Sequence, residues 1–207
     1  MATAKKPAGR PREFDSEVVL EKAMRAFFRH GFEGTTARDL QAATGLTAPS
    51  LYNAFGSKKD LFLTALDRYA QSGFSYMIDE LADGQNGLAD LTRFLEKVWS
   101  TFEGEQPPMG CMVLNTRGEF GQSQPDILAI CDRFTSRQVG AIGAALQRAA
   151  ERGEIAPDMV AHYGQSFRLL LNGFLHLVRT NGLDGEVEAA YGAFRQAIES
   201  WRRGPSG

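Results

Sequence analysis

The chain has 207 residues, with 23 Lys and Arg against 25 Asp and Glu and a formal net charge of −2. A chain of this length can bury a sizeable core in one or two domains, and the near-neutral balance excludes a uniformly basic coat for nucleic acid. The charge is uneven, because residues 1–60 carry 10 basic and 7 acidic side chains whereas residues 61–207 carry 13 and 18.

The composition argues against several classes of protein. No apolar run of about 18 residues occurs, and none follows the basic N-terminus, so we expect neither a membrane span nor a secretory signal. The two cysteines, Cys111 and Cys131, make no disulfide framework, and the 3 histidines lack metal-ligand spacing. We therefore expect a cytoplasmic protein without metal or other cofactor. No Ser/His/Asp order, P-loop or paired-carboxylate motif stands out, so we do not expect an enzyme.

The first predicted elements are an arm and a helix. Residues 1–12 combine Pro, Gly and basic side chains, which is typical of a flexible arm. A helix is predicted from Asp15 or Ser16, either of which can cap it, to about His30. Gly31 should end it. The residues that form its apolar face at helical spacing are Leu20, Ala23, Met24 and Phe27.

Residues 35–60 carry the most informative pattern, because they predict two short helices joined by a tight turn and followed by a third. Thr36 can cap the first helix, and Gly45 can adopt the left-handed conformation that ends it. Thr47 can cap the second helix, and Ser57 begins a capping box for the third. This is the layout of a helix-turn-helix, which places its second helix in the major groove of DNA.

The rest of the chain also reads as helical. Gly and Pro residues separate the predicted helices, and no segment shows the alternating polar and apolar residues of a β-strand. Helices are predicted over residues 58–82, 88–102, 109–120, 124–153, 157–181 and 186–203. The expected fold is all-α, with about nine helices in two parts. These parts are a helix-turn-helix domain over residues 13–57 and a helical regulatory and dimerisation domain over residues 58–207.

The last two predicted helices carry many apolar residues at helical spacing, which favours burial on more than one side. They can close the core of the protomer, or they can pair with the same helices of a second copy. Because one short helix reads few base pairs and a two-fold dimer reads two half-sites, we favour pairing. The predicted interface comprises Phe167, Leu170, Leu171, Phe174, Val178, Tyr191, Phe194, Ile198 and Trp201.

Several motifs in the first third of the chain carry a family resemblance. They are Gly9-Arg10-Pro11-Arg12, Phe27-Phe28-Arg29-His30-Gly31-Phe32, Thr35-Thr36, Gly45-Leu46 and Ser50-Leu51-Tyr52-Asn53-Ala54-Phe55-Gly56-Ser57-Lys58. In this order and spacing they resemble the N-terminal domain of the TetR family of bacterial transcriptional regulators. The resemblance implies a homodimeric, ligand-responsive repressor that reads a palindromic operator in double-stranded DNA, with the last two helices as its dimer interface.

The DNA-binding residues follow from both the pattern and the resemblance. Those predicted to contact the backbone are Thr36, Arg38, Tyr52 and Lys58, with Arg38 alternatively reaching a base. Those predicted to reach base edges are Thr47, Ala48, Ser50 and Asn53. The alternatives are capping for the two threonines, a packed ring for Tyr52 and solvated charges for Arg38 and Lys58. Arg10 and Arg12 can follow the backbone, enter a minor groove or stay free.

The resemblance also implies a small apolar ligand of unknown identity in the second domain. Aromatic and methionine side chains suit an adaptable pocket, although each can equally be core. The predicted pocket residues are Trp99, Phe102, Met109, Cys111, Met112, Phe120, Phe134, Phe167 and Phe174. The alternative to a ligand-responsive regulator is a DNA-binding module without a ligand.

The segment from Pro108 to Asn115 resembles a stretch found in one branch of the family, some members of which respond to oxidants or electrophiles through cysteine. If a helix begins near Pro108, Cys111 lies in its first turn, where the helix dipole lowers a thiol pKa. The resulting alternative function is a redox-responsive regulator acting through Cys111. The opposing interpretation is a small buried hydrophobic residue.

Overall fold

A computed structural model describes residues 14–104 and 107–202 of the chain. The all-α prediction is confirmed, because the described residues form ten α-helices, one short 3₁₀ helix and no strand. The α-helices are α1 (Ser16–Gly34), α2 (Ala37–Thr44), α3 (Ala48–Phe55), α4 (Lys58–Gln71), α5 (Gly73–Asp83), α6 (Leu88–Glu103), α7 (Met112–Phe120), α8 (Pro125–Glu151), α9 (Val160–Asn181) and α10 (Gly185–Ser200). The predicted arm, with Arg10 and Arg12, lies outside the described residues.

The helix-turn-helix region, residues 14–57, is called the head below. Its first helix begins at Asp15, whose carboxylate accepts hydrogen bonds from the N–H groups of Glu17 and Val18. Gly31 interrupts α1 with φ 74° and ψ 177°, so the residues after it form a last turn in a new direction. Such a backbone conformation favours glycine, which explains why the predicted stop falls there.

Two capping boxes fix the helices on either side of α3. The Thr36 side chain accepts from the Asp39 N–H and the Asp39 carboxylate accepts from the Thr36 N–H, and Ser57 and Asp60 repeat this exchange at α4. These hydrogen bonds lower the pKa of both carboxyl groups. Because each pKa is depressed on folding, the stabilisation is present above the ordinary carboxyl pKa and is lost as the pH falls through the lowered value.

The single long helix predicted over residues 58–82 is wrong, because α4 ends at Gln71 and α5 begins at Gly73. Between them Ser72 is extended, with φ −105° and ψ −163°, and both its N–H and its hydroxyl donate to the Tyr69 carbonyl. A Ser-Gly pair is a common site of helix breaks, since neither residue strongly favours the helix. The covalent connection from the head to the rest of the chain is therefore the short helix α4.

The remaining chain, residues 58–202, is called the body below. Its longest helix, α8, packs against α5, α6, α7 and α9. Phe102, Phe167 and Phe194 fill the core between α6, α9 and α10 and are among the most deeply buried side chains. None of the described helices is long and apolar enough to cross a membrane.

Most of the predicted dimer interface is core of the protomer, which corrects that prediction. The members buried within one protomer are Phe167, Leu171, Phe174, Val178, Phe194 and Ile198. Tyr191 and Trp201 are half-buried, and Leu170 is 38% exposed. The physical reason is that α9 and α10 turn these side chains toward α6 and α8 of their own chain. Leu169, on another side of α9, is 73% exposed.

Candidate nucleic-acid interface

The helix-turn-helix is built around a buried pair of leucines. Leu40 of α2 and Leu51 of α3 are both 0% exposed, and Gly45 between the helices has φ 78°. Because Leu51 faces inward, the opposite side of α3 faces outward. Ser50 and Asn53 are exposed there, and the remaining candidates for DNA contact on α3, Ala48 and Tyr52, are half-buried.

The N-terminus of α3 differs from those of its neighbours. Within the described residues, Thr47 makes no side-chain cap, and its hydroxyl instead lies 3.0 Å from the Ser50 hydroxyl. The prediction that Thr47 caps α3 through its side chain is therefore wrong, because the hydroxyl faces a second hydroxyl rather than a backbone N–H. The helix has Pro49 in its first turn, and within the described part of the chain the Ser50 N–H has no acceptor. Uncapped N–H groups at a helix N-terminus attract anions such as phosphate.

The other predicted contact residues differ in availability. Thr36 is exposed, but its hydroxyl donates to the Asp39 carboxylate at 2.6 Å. Arg38 is exposed on α2. The Lys58 ammonium lies 4.5 Å from the centroid of the Phe32 ring, a cation–π arrangement that holds it beside the head. The neighbouring Lys59 pairs with Asp126 of α8 at 2.7 Å and faces the body.

Two side chains of the body hold α1 on both sides of its break at Gly31. The Glu119 carboxylate of α7 accepts from the N–H groups of Phe32 at 2.9 Å and Glu33 at 2.7 Å. The Arg179 guanidinium of α9 donates to the carbonyls of Phe28 at 2.9 Å and Arg29 at 2.8 Å. We call these four hydrogen bonds the head–body clamp. A Cβ at Gly31 would lie 2.8 Å from the Glu119 carboxylate, so the clamp requires glycine there.

An aromatic cluster lies beside the clamp. The Phe62 ring of α4 packs edge-on against Phe27 and Phe32, with centroids 5.1 Å away in both cases, and Phe120 of α7 lies 6.0 Å from Phe62. The cluster joins α1, α4 and α7, and such contacts add to the energy of burial. Phe120, predicted to line a ligand pocket, belongs instead to this junction.

The body contains a cavity of about 280 Å³ between α7, α8 and α9. Its apolar wall comprises Val113, Leu114, Phe134 and Leu175, and Cys111 also lines it. A larger cleft of about 860 Å³ lies between α1, α7 and the exposed side of α9. The clamp residues Glu119 and Arg179 line this cleft.

Comparisons with known proteins cover both parts of the chain. The model of bacterial regulatory proteins of the tetR family matches residues 19–65, and that of the tetracyclin repressor-like C-terminal domain matches residues 87–197. The HTH-type transcriptional repressor ComR of Escherichia coli is 32% identical over 174 residues, which covers 82% of this chain and 81% of ComR. The chain belongs to the TetR family.

Two solved structures and a further sequence relative agree with this assignment to the TetR family of transcriptional regulators. A cysteine mutant of the TetR family regulator CifR, complexed with a 26-bp operator, has a TM-score of 0.76 at 25% identity and covers 93% of this chain and 100% of its own. A TetR regulator from Chloroflexus aurantiacus has a TM-score of 0.77 at 26% identity, covering 90% and 95%. The repressor AcnR of Corynebacterium glutamicum is 27% identical over 190 residues, covering 87% of this chain and 92% of AcnR.

The predicted ligand pocket of this TetR-family body does not form one site. Trp99 and Phe102 pack against Phe174, and the Trp99 ring stacks 4.6 Å from Tyr191. Phe167 packs instead against Phe94 and Phe194. The other predicted pocket residues that line a cavity are distributed over three different cavities. Cys111 and Phe134 line the 280 Å³ cavity, Met112 the larger cleft, and Met109 a separate one near α1. Composition identified apolar residues correctly but could not separate core from cavity.

The position and burial of Cys111 oppose the cysteine hypothesis. Cys111 occupies the N-cap position of α7 rather than its first turn and is only 3% exposed. Burial raises the pKa of its thiol, which is the opposite of what a thiolate sensor needs. Burial also raises the pKa of Cys131 to about 11. The interpretation as small buried hydrophobic residues describes both.

We expect both thiols to react slowly in the native protein. Because the native sulfur is shielded from the reagent and burial raises the pKa of the thiol, alkylation of Cys111 by iodoacetamide at pH 8 should be roughly tenfold or more slower than in the urea-unfolded chain. Mass spectrometry of the Cys131→Ser variant isolates this rate. Labelling of native Cys111 as fast as that of the unfolded chain would restore the sensor hypothesis.

Proposed function

We propose that this TetR-family regulator is a homodimeric repressor, in which α3 of each head enters the major groove at one half of a palindromic operator. The observation that carries the proposal is the outward face of α3 together with its uncapped N-terminus. Side chains cap α1, α2 and α4, and among the head helices and α4 only α3 lacks a side-chain cap within the described residues. An open N-terminus on an exposed helix of the head suits phosphate, because its backbone N–H groups lack partners.

The proposed DNA contacts fall into two groups. Contacts to phosphate set the position of the protein on the duplex, and contacts to bases read the DNA sequence. The proposed phosphate contacts are the N-terminus of α3, the Tyr52 hydroxyl, Arg38 and Lys58, with Thr36 acting mainly as a cap. The proposed base contacts are Thr47, Ala48, Ser50 and Asn53, of which Asn53 offers the amide that pairs best with adenine. The relatives named as repressors and the operator complex of CifR support a DNA-binding role for the chain.

The proposed dimer interface uses the outer faces of α9 and α10 instead of the inward faces first predicted. On α9 the exposed Leu169 and Leu170 lie beside Gly173 and His176. On α10 a stripe of small exposed residues comprises Ala189, Gly192 and Ala193. Apolar and small side chains let two helix pairs approach closely, as a four-helix interface requires.

The body is proposed to bind a small ligand that favours one separation of the two heads. Any ligand that prefers the wrong separation must weaken DNA binding by the same factor by which DNA weakens ligand binding. The head–body clamp supports this coupling, because α7 and α9 line the cavity and also hold α1. We retain the division at residue 57 between the head and the ligand-binding body as part of the proposal.

The Asn53→Ala variant tests the role of α3. Loss of a bidentate base contact should weaken operator binding by roughly 5-fold to 150-fold and relax the preference at one symmetric pair of positions. Fluorescence anisotropy at a stated salt concentration and sequencing of selected DNA measure the two effects. The matched control is Gln122→Ala, an exposed amide in the loop after α7. Equal affinity and an unchanged consensus for Asn53→Ala would exclude it from base recognition.

A further inference from the structure

The cavity between α7, α8 and α9 has an unusual polar wall. Thr135, Gln138, Arg168 and Asn172 all line it, and no hydrogen bond or ion pair to any of their side chains occurs within residues 14–104 and 107–202. Gln138 is only 9% exposed. Buried polar groups in native proteins almost always have partners, and each one without a partner costs free energy. Gln138 is the buried member of this group, and Thr135, Arg168 and Asn172 are half-buried, so all four side chains can offer hydrogen bonds to a molecule that enters the cavity.

The charge of the cavity is set by one residue. Arg117 also lines it, but its guanidinium pairs with the Asp132 carboxylate, so these two charges compensate. Arg168 is half-buried and, among the described residues, has no carboxylate partner. The site therefore presents one uncompensated positive charge beside two amides and a hydroxyl. A planar guanidinium next to amide donors suits a carboxylate, which can accept from several donors at once.

The wall opposite Arg168 determines the polarity and size of the rest of the ligand. Val113, Leu114, Phe134 and Leu175 offer only apolar surface. The volume of about 280 Å³ is just below the range of ~300–1,000 Å³ for small-molecule pockets. A short aliphatic chain or a single ring fills this volume.

We propose that this cavity binds a small monocarboxylate, with the carboxylate on Arg168, Gln138 and Asn172 and the apolar part against Phe134 and Leu175. The proposal rests on the proposed ligand-responsive function of the body and names the chemical class of its ligand. The anionic class differs from the purely apolar ligand expected from the sequence.

Occupation of this site bears directly on the head–body clamp. Arg168 and Asn172 lie on α9, two to three turns before Arg179, and the apolar wall includes the helix α7 that carries Glu119. A ligand that draws α9 toward α7 and α8 therefore acts on both clamp residues at once.

The test uses the full chain and defined probes. Benzoate and hexanoate are titrated by calorimetry and by ligand-observed NMR, with benzamide and hexanamide as uncharged probes of matched size. We expect one acid per protomer, competition between the two acids, and at least tenfold weaker binding of the amides. The Arg168→Met and Gln138→Leu variants should weaken binding of the acids by about tenfold to hundredfold, while Arg168→Lys retains part of it.

The matched control is Arg133→Met, which removes the same charge from α8 where the guanidinium pairs with Asp67 outside the cavity. It should bind the acids as the parent does. Failure of both acids to bind, or equal binding of acids and amides that is unchanged in Arg168→Met, would overturn the proposal. Operator binding, measured in parallel without added acid, reports separately on the proposed regulator, so the two failures are distinguishable.

Discussion

Replacement of Gly192 by arginine should convert the dimer into monomers and remove high-affinity operator binding. Gly192 is exposed on the outer face of α10, and no described atom lies within 4 Å of a Cβ built there, so the protomer itself accommodates the change. Two large guanidinium groups brought together at a two-fold axis would separate the helices by sterics and by charge. Because the second half-site is then bound without linkage to the first, operator affinity should fall by about 10²-fold to 10⁴-fold.

The control for this experiment is Gly140→Arg. Gly140 lies within α8 and is exposed, and a Cβ added at this position would likewise meet no described atom within 4 Å, so it matches the change in charge and helix propensity. Sedimentation velocity gives the oligomeric state and anisotropy gives the affinity. If Gly192→Arg remains dimeric with parental affinity, the outer face of α10 is not the interface.

The second large effect is expected at the head–body clamp. The Glu119→Ala variant loses two charge-assisted hydrogen bonds to the N–H groups of Phe32 and Glu33, and Arg179→Met frees two carbonyls on the other side of Gly31. Allowing for solvent exposure of Glu119, each variant should lower the free energy of unfolding by about 1–3 kcal/mol. In the double variant the head should unfold at a lower urea concentration than the body, because the hydrogen bonds that make the two parts unfold together are lost.

Urea unfolding measures the free energy of unfolding, and hydrogen exchange measures the loss of protection in the head. The amides of Phe32 and Glu33 should lose protection, whereas those of α8 keep it. Glu151→Ala is the control, since its carboxylate accepts only a weak bond of 3.4 Å from Gln147 on its own helix. Unchanged protection of Phe32 and Glu33 in Glu119→Ala would mean that the clamp does not hold the head.

Sequence reasoning succeeded where the signals are local. A cap lies within three residues of the backbone it satisfies, so Thr36 and Ser57 could be recognised from their neighbours alone. The left-handed glycine at position 45 ends α2 for the same reason. The outward face of α3 followed from Leu51, because one buried residue fixes the orientation of a short helix.

Sequence reasoning failed where the partner is distant. The apolar pattern of α9 and α10 defines a buried face but not whether the same chain or a second copy covers it. Glu119 contacts backbone 86 and 87 residues away, and nothing near it in sequence identifies that partner. Gln138, Arg168 and Asn172 resemble ordinary solvated side chains until α8 and α9 bring them to one cavity.

Two copies of α3, one from each protomer, are proposed to read a symmetric site in DNA. The most direct measurement is selection of bound duplexes from a random pool by the full chain, at a stated salt concentration. We predict a palindromic consensus whose half-sites are centred about one helical turn, or a small multiple of it, apart, with one dimer bound per site or pair of sites. A single asymmetric motif bound by one protomer, or no enrichment above nonspecific binding, would contradict the account.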